Sequence, residues 1–140
     1  MKTYSIRELS ELFALPASTL RYYEEVGLLT DIKRDGKHRV YEECHFHRLK
    51  ALCCFKETGM SIAQLQTFFS YEKDTNKNEE MVELLAEHTE KVSAQIENLQ
   101  KNMQHVQRKL AFYQDICQAK QAQQPLPEWD EYRDKVFPRI

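Results

Sequence analysis

The stretch YSIRELSELFALPASTLRYYEEVG, Tyr4 to Gly27, decides how this 140-residue chain is read. Ser5 and Glu8 stand three residues apart ahead of an apolar run, the spacing of a capping box, so a helix is expected to start near Ile6. Ile6, Leu9, Leu12 and Phe13 then fall on one helical face. Leu15-Pro16 breaks that helix, and a second is expected from about Ala17. Two short helices joined by a tight turn have the layout of a helix-turn-helix, here without the glycine often found in the turn.

On a wheel of 100° per residue, Ser18, Arg21, Tyr22 and Glu25 share one face of the second helix. Thr19, Leu20, Tyr23 and Val26 lie on the other. Tyr23 should therefore pack inward with Leu20, and Arg21 and Tyr22 should point outward. An arginine, a phenol and a hydroxyl on one face suit phosphate and groove contacts. A solvated polar face is the plainer reading of this helix alone.

The neighbouring segment shifts that balance. In LLTDIKRDGKHRVY, Asp35-Gly36 is a favoured type I′ hairpin dipeptide, which predicts a two-stranded wing. The wing carries Lys33, Arg34, Lys37, His38 and Arg39, with Asp31 and Asp35 at its bends. A protein-binding wing has no need of so many cations together. Two further helices are expected, roughly Glu42–Glu57 and Ser61–Tyr71, with Gly59 suiting the end of one and Ser61 with Gln64 the cap of the next.

One long helix is predicted from about Glu79 to Gln123. Its apolar seam reads Val82, Leu85, Thr89, Val92, Ile96, Leu99, Met103, Val106, Leu110, Tyr113, Cys117, with steps of three and four unbroken over five heptads. A 36-residue seam spans about 54 Å, too long to bury on a small domain, so it calls for a partner helix, most simply from a second copy. The tail QPLPEWDEYRDKVFPRI reads as irregular, with Trp129, Tyr132 and Phe137 free to dock.

Composition agrees with a mainly helical protein. Three glycines and four prolines are few for an all-β chain, which needs many turns. No apolar run reaches the roughly 18 residues of a membrane span, and the start does not read as a secretory leader, so a cytoplasmic protein without a membrane partner is expected. Net charge is -2, so any nucleic-acid contact must come from a local surface. Four cysteines, Cys44, Cys53, Cys54 and Cys117, lack zinc-finger spacing, and a disulfide framework is not expected in a cytosolic chain.

In this order, YSIREL, TLRYYEEVGLL and RDGKHRVY resemble the MerR family of transcriptional regulators over about the first seventy residues. The resemblance implies a winged helix-turn-helix DNA-binding domain followed by a long dimerisation helix, an antiparallel coiled coil. The implied boundaries are 1–75 for the DNA-binding domain with its linker helices, 76–123 for the coiled-coil helix and 124–140 for the tail. It also implies a homodimer that bends and untwists overlong promoter spacers for RNA polymerase, control through DNA deformation. The DNA-contacting positions implied are Ser18, Arg21 and Tyr22 on the second helix, Arg39 and Tyr41 at the wing, and Lys56 before ETGMS. Lys37 and His38 join them from the wing's basic cluster. Two departures are visible: Thr30-Asp31-Ile32 stands where a proline or similar breaker is usual, and Leu15-Pro16 replaces a glycine-containing turn.

The signal is the open question. CCFKETGMSI resembles the cysteine-bearing stretch of the aldehyde- and thiol-stress branch, with Cys54 at the matched position. The wheel sets Cys53 with Phe46 and Leu49, toward the core, and Cys54 with His47 and Lys50, on a more polar side. Lys50 would favour a thiolate at Cys54, and the helix C-terminus would oppose it. A structural thiol is an equal reading. Cys117 stands alone at the far end of the coil, and Cys44 with His47 lacks a third ligand, so no metal or other cofactor is expected. Alternatives are a metal- or organic-ligand-responsive regulator of the same fold, or a coiled-coil interaction module that does not bind DNA. An enzyme using Cys54 as nucleophile ranks last, because no base and third group are spaced for a triad.

Overall fold

The computed structural model describes residues 2–140 and divides into two compact units, one running to His88 and one from Thr89 to Ile140. Element order is β1 (Thr3–Tyr4), α1 (Ile6–Phe13), α2 (Ala17–Glu25), β2 (Lys33–Asp35), β3 (His38–Glu42), α3 (Glu43–Glu57), α4 (Ile62–Glu72) and α5 (Asn78–Gln121). Single 3-10 turns stand at Thr75–Lys77 and Trp129–Glu131.

In the first unit, α1 begins at the Ser5–Glu8 capping box, with Ser5 Oγ accepting from the Glu8 N–H and Glu8 reaching back to the Ser5 N–H. The turn after α1 is made without glycine: Ala14 caps the helix in the left-handed region, at φ 52°. Its N–H and that of Leu15 bond back to carbonyls of the last turn, and the Ser10 hydroxyl donates to the Leu15 carbonyl. Gly27, at φ 81°, ends α2, and Asp31, at φ 60°, makes the bend for which the family uses a breaker. Asp tolerates this conformation better than most residues with a side chain.

The three strands form one antiparallel sheet in the order β1-β3-β2. Asp35 pairs with His38, so the two loop residues are Gly36 and Lys37 and not the expected Asp35-Gly36. Gly36 has φ 64° and Lys37 does not share a positive φ, which is the pattern of a type II′ hairpin and corrects the type I′ expectation. Either turn needs glycine at one central position; the register moved by one.

Leu9 of α1, Leu20 and Tyr23 of α2, Leu28, Leu29 and Tyr41, and Leu49 and Leu52 of α3 form the core with residues of α4. Each fully buried leucine contributes about 1.5–3 kcal/mol. The start of α5 packs on this core through Met81, Leu84 and Leu85, so the first unit takes in the opening turns of the long helix.

In the second unit the tail lies against α5. Phe112 meets Trp129 and Tyr132 with ring centroids 5.4 and 5.3 Å apart, and the Lys109 ammonium sits 3.7 Å from the Trp129 centroid. Large apolar residues of the seam stay exposed on another face, including Ile96, Leu99, Met103, Val106, Leu110 and Tyr113. Among the described residues no helix is long and apolar enough to cross a membrane.

Candidate nucleic-acid interface

The surface is built on α2. Leu20 is fully buried and Tyr23 nearly so, which anchors the helix and turns Ser18, Arg21, Tyr22 and Glu25 outward; Tyr22 is 44% exposed. Tyr23 lies in the core with its hydroxyl held above its usual pKa, chiefly by burial. The adjacent tyrosines have separate environments even though their ring centroids are only 6.3 Å apart.

Glu24, on the flank between these two faces, ties the helix to the wing. Arg39 Nε donates to Glu24 Oε2 at 2.6 Å, and Arg34 Nη2 lies 3.6 Å from Glu24 Oε1. Arg39 is therefore a half-buried fastener between α2 and the hairpin. Lys33 pairs with Glu42 across the sheet at 3.2 Å. Lys37 and His38, at the hairpin tip, are exposed, as is Lys56 in the last turn of α3.

Tyr41, expected to face DNA, is fully buried. Side chains alternate along a strand, and Tyr41 opposes Tyr4 on the inward side, with its ring edge-on to His45 at 6.0 Å. Burial pushes its phenol pKa up, with Arg39 acting against it, and the hydroxyl finds no partner among the described residues. A side chain with no exposed surface is part of the scaffold, and the expectation of a surface tyrosine there is corrected.

Sequence reasoning misses His45. It is buried, accepts the Glu42 N–H at Nδ1 (2.9 Å), and so carries its proton on Nε2, which donates to the Thr30 carbonyl at 2.8 Å. Glu42 and His45 form a capping box in which histidine takes the usual Glu or Gln place. The sequence signal, an acid three residues before a histidine at a strand–helix junction, is weak. Glu24 is missed as well, because the wheel places it on neither face.

Around α3, Cys54 is exposed and Cys53 packs partly on the core. Burial, then Glu57, pushes the Cys53 thiol pKa up. Lys50 does not lie on Cys54; its ammonium sits over the Phe46 ring, 5.7 Å from the centroid. The Thr58 hydroxyl lies at hydrogen-bond distance from the Cys54 carbonyl, 3.0 Å, and from His88 Nε2, 2.7 Å. The last turn of α3 is thereby bonded to the first turns of α5. Among the described residues no three His, Cys, Asp or Glu side chains group to hold a metal ion.

Comparison with known proteins places this geometry. The model for MerR HTH family regulatory proteins matches residues 4–72, and that for the MerR DNA-binding region matches residues 46–109. An uncharacterised HTH-type transcriptional regulator of Haemophilus influenzae is 34% identical over 116 residues, covering 80% of this chain and 84% of that protein. The regulator YyaN of Bacillus subtilis is 31% identical over 130 residues, covering 83% of this chain and 94% of its own. Among solved structures, HiNmlR, a MerR family regulator lacking the sensor domain and bound to promoter DNA, superposes with a TM-score of 0.73 at 31% identity, over 88% of this chain and 97% of that one. The chain belongs to the MerR family of helix-turn-helix transcriptional regulators, which are DNA-binding proteins and not enzymes.

Proposed function

We propose that the protein grips double-stranded promoter DNA as a homodimer, through Ser18, Arg21 and Tyr22 of α2 together with Lys37 and His38 of the wing tip and Lys56. The observation that carries this reading is the Glu24 tie. It holds an exposed arginine–tyrosine face and a basic hairpin as one surface, and a rigid first contact layer is what positioning on phosphates requires. The promoter complex of HiNmlR supports the choice of partner. The exposed seam of α5 supports the dimer, since a stripe of this length is an association surface. Bending and untwisting of an overlong spacer for RNA polymerase follow from the family resemblance.

The signal in this reading is an electrophile, such as an aldehyde, that adds to the Cys54 thiolate. Two features favour it: the thiol is exposed, and its turn is bonded through Thr58 to His88 on α5. An adduct there would press on the joint between the DNA-binding helices and α5.

Fluorescence anisotropy with a duplex from the gene's own upstream region tests the DNA contact, and a promoter assay tests the signal. Arg21→Ala should weaken binding across sequences and reduce the salt slope by about one. Unchanged affinity and slope would remove Arg21 from the interface. Cys54→Ser should keep DNA binding and lose the response to aldehyde in the promoter assay. A variant that still responds normally ends the thiol reading.

A further inference from the structure

The wing leaves the domain on two legs, and one side chain holds both of them at the root. His45 accepts the N–H of Glu42 at the end of β3 and donates to the carbonyl of Thr30, in the connector that leads into β2. Up to Leu29 that connector is secured by other means. The Leu28 and Leu29 amides bond to the Tyr23 carbonyl, both leucine side chains are buried, and Gln66 of α4 donates to the Val26 carbonyl at 2.9 Å. The next peptide, Thr30–Asp31, enters the left-handed bend at Asp31. A peptide is planar, so turning this one turns the chain that follows it into β2. The bond from His45 fixes its carbonyl.

Building on the reading that the wing tip grips DNA, we infer that His45 is a positioning residue for DNA binding: through Thr30 it sets the angle at which the wing presents Lys37 and His38. Glu24 holds the wing at Arg34 and Arg39, which are partners across the hairpin. One point of attachment permits rotation about it, and a second at the root removes that freedom. The lever is long. β3 runs from His38 to Glu42, about 13 Å, so a swing of about 10° at the root carries the tip by about 2 Å. Contacts of this kind tolerate about 0.5 Å. Chemistry picks out the ring. A bridge from a backbone N–H to a backbone carbonyl needs an acceptor and a donor on one short, rigid group. Neutral imidazole with its proton on Nε2 is such a group, and a glutamine amide is another. Glutamate, the other usual third member of a capping box, accepts the Glu42 N–H but has nothing to donate to Thr30.

The test is the DNA dissociation constant of the full chain on the upstream duplex, by fluorescence anisotropy. His45→Gln retains both bonds and should stay within about twofold of the parent. His45→Glu retains the helix cap, loses the Thr30 bond and should raise the constant about fivefold or more, the effect expected for one hydrogen bond. A residue that only supports the fold would weaken every contact alike, so these variants are crossed with the contacts themselves. With Lys37→Ala and His38→Ala in place, the His45→Glu effect should shrink below about twofold; with Arg21→Ala in place it should keep its full size. If circular dichroism shows that His45→Glu is unfolded, His45→Leu, which buries no charge, takes its place in the same cycle. Wing-tip substitutions that leave binding at the parent level overturn the wing reading beneath this inference. Where the tip does matter, three results overturn the role of His45: His45→Gln binds as weakly as His45→Glu, the His45→Glu effect is as large without the tip as with it, or that effect is absent.

Discussion

Glu24 shows how much one side chain can organise. Its carboxylate takes Arg39 at hydrogen-bond distance and Arg34 within ion-pair range, and both pairs are partly screened by water. For such a pair the expected contribution lies between that of exposed and buried ion pairs, about 1 kcal/mol. Glu24→Gln should therefore lower unfolding free energy in urea by about that amount, while Glu25→Gln, an exposed neighbour, should stay within about 0.5 kcal/mol. Equal effects would mean that the tie is only a chance meeting of long side chains. The same residue marks a limit of sequence reading. The wheel separates Tyr22 from Tyr23 correctly because helical periodicity is local. It leaves Glu24 unassigned because the wing that meets it is some fifteen residues away in sequence. Tyr41 escapes for a related reason: which side of a short strand faces inward depends on β1, a two-residue strand near the start of the chain, and β3 together. Asp31 and Ala14 go unread because a positive φ at a residue with a side chain leaves little trace in composition.

Among the elements, the capped helices were legible and the tail was not. Ser5–Glu8 and Ser61–Gln64 make the capping boxes that their spacing announces. The tail has no period, so only its aromatics hinted at docking, and their partners Phe112 and Asp115 lie on a helix face that the seam does not include. Its contacts carry a pH dependence. Hydrogen bonding to Asp115 pushes the Tyr132 phenol up to about 12. An unfolded tyrosine ionises near 10, so this contribution is complete below about 10 and is lost as the pH climbs toward 12. Glu97 runs the other way. Arg139 holds its carboxyl below the usual range, so its contribution is complete above that range and is lost as the pH falls through the lowered value. Tail docking, followed by the emission of Trp129, the single tryptophan, should show a plateau with two limbs. Tyr132→Phe should abolish the alkaline limb alone and Glu97→Gln the acid limb alone. One limb surviving its own substitution would detach it from the named pair.

At the scale of the molecule, the chain divides into two compact units, and the 44 residues of α5 contribute to each of them. The fold class, the wing and the long helix were readable because each rests on periodicity or on turn residues. The tail's bonds to α5 and the bond from His45 to the Thr30 carbonyl rest on contacts between distant segments. A protein of this size is held by a margin of about 5–15 kcal/mol, so small local costs are felt by the whole. Ala14 is one such cost. Holding an alanine in the left-handed region costs roughly 1–2 kcal/mol, whereas glycine there would give back about 0.4–1 through its freer unfolded chain. Ala14→Gly should therefore raise the melting temperature by a few degrees, read by calorimetry. Every alanine codon reaches a glycine codon by one base change, so this stabilised variant is always a single mutational step away. A protein held just above the stability its work requires leaves such routes untaken, because selection removes what falls below that threshold and does not reward what rises above it.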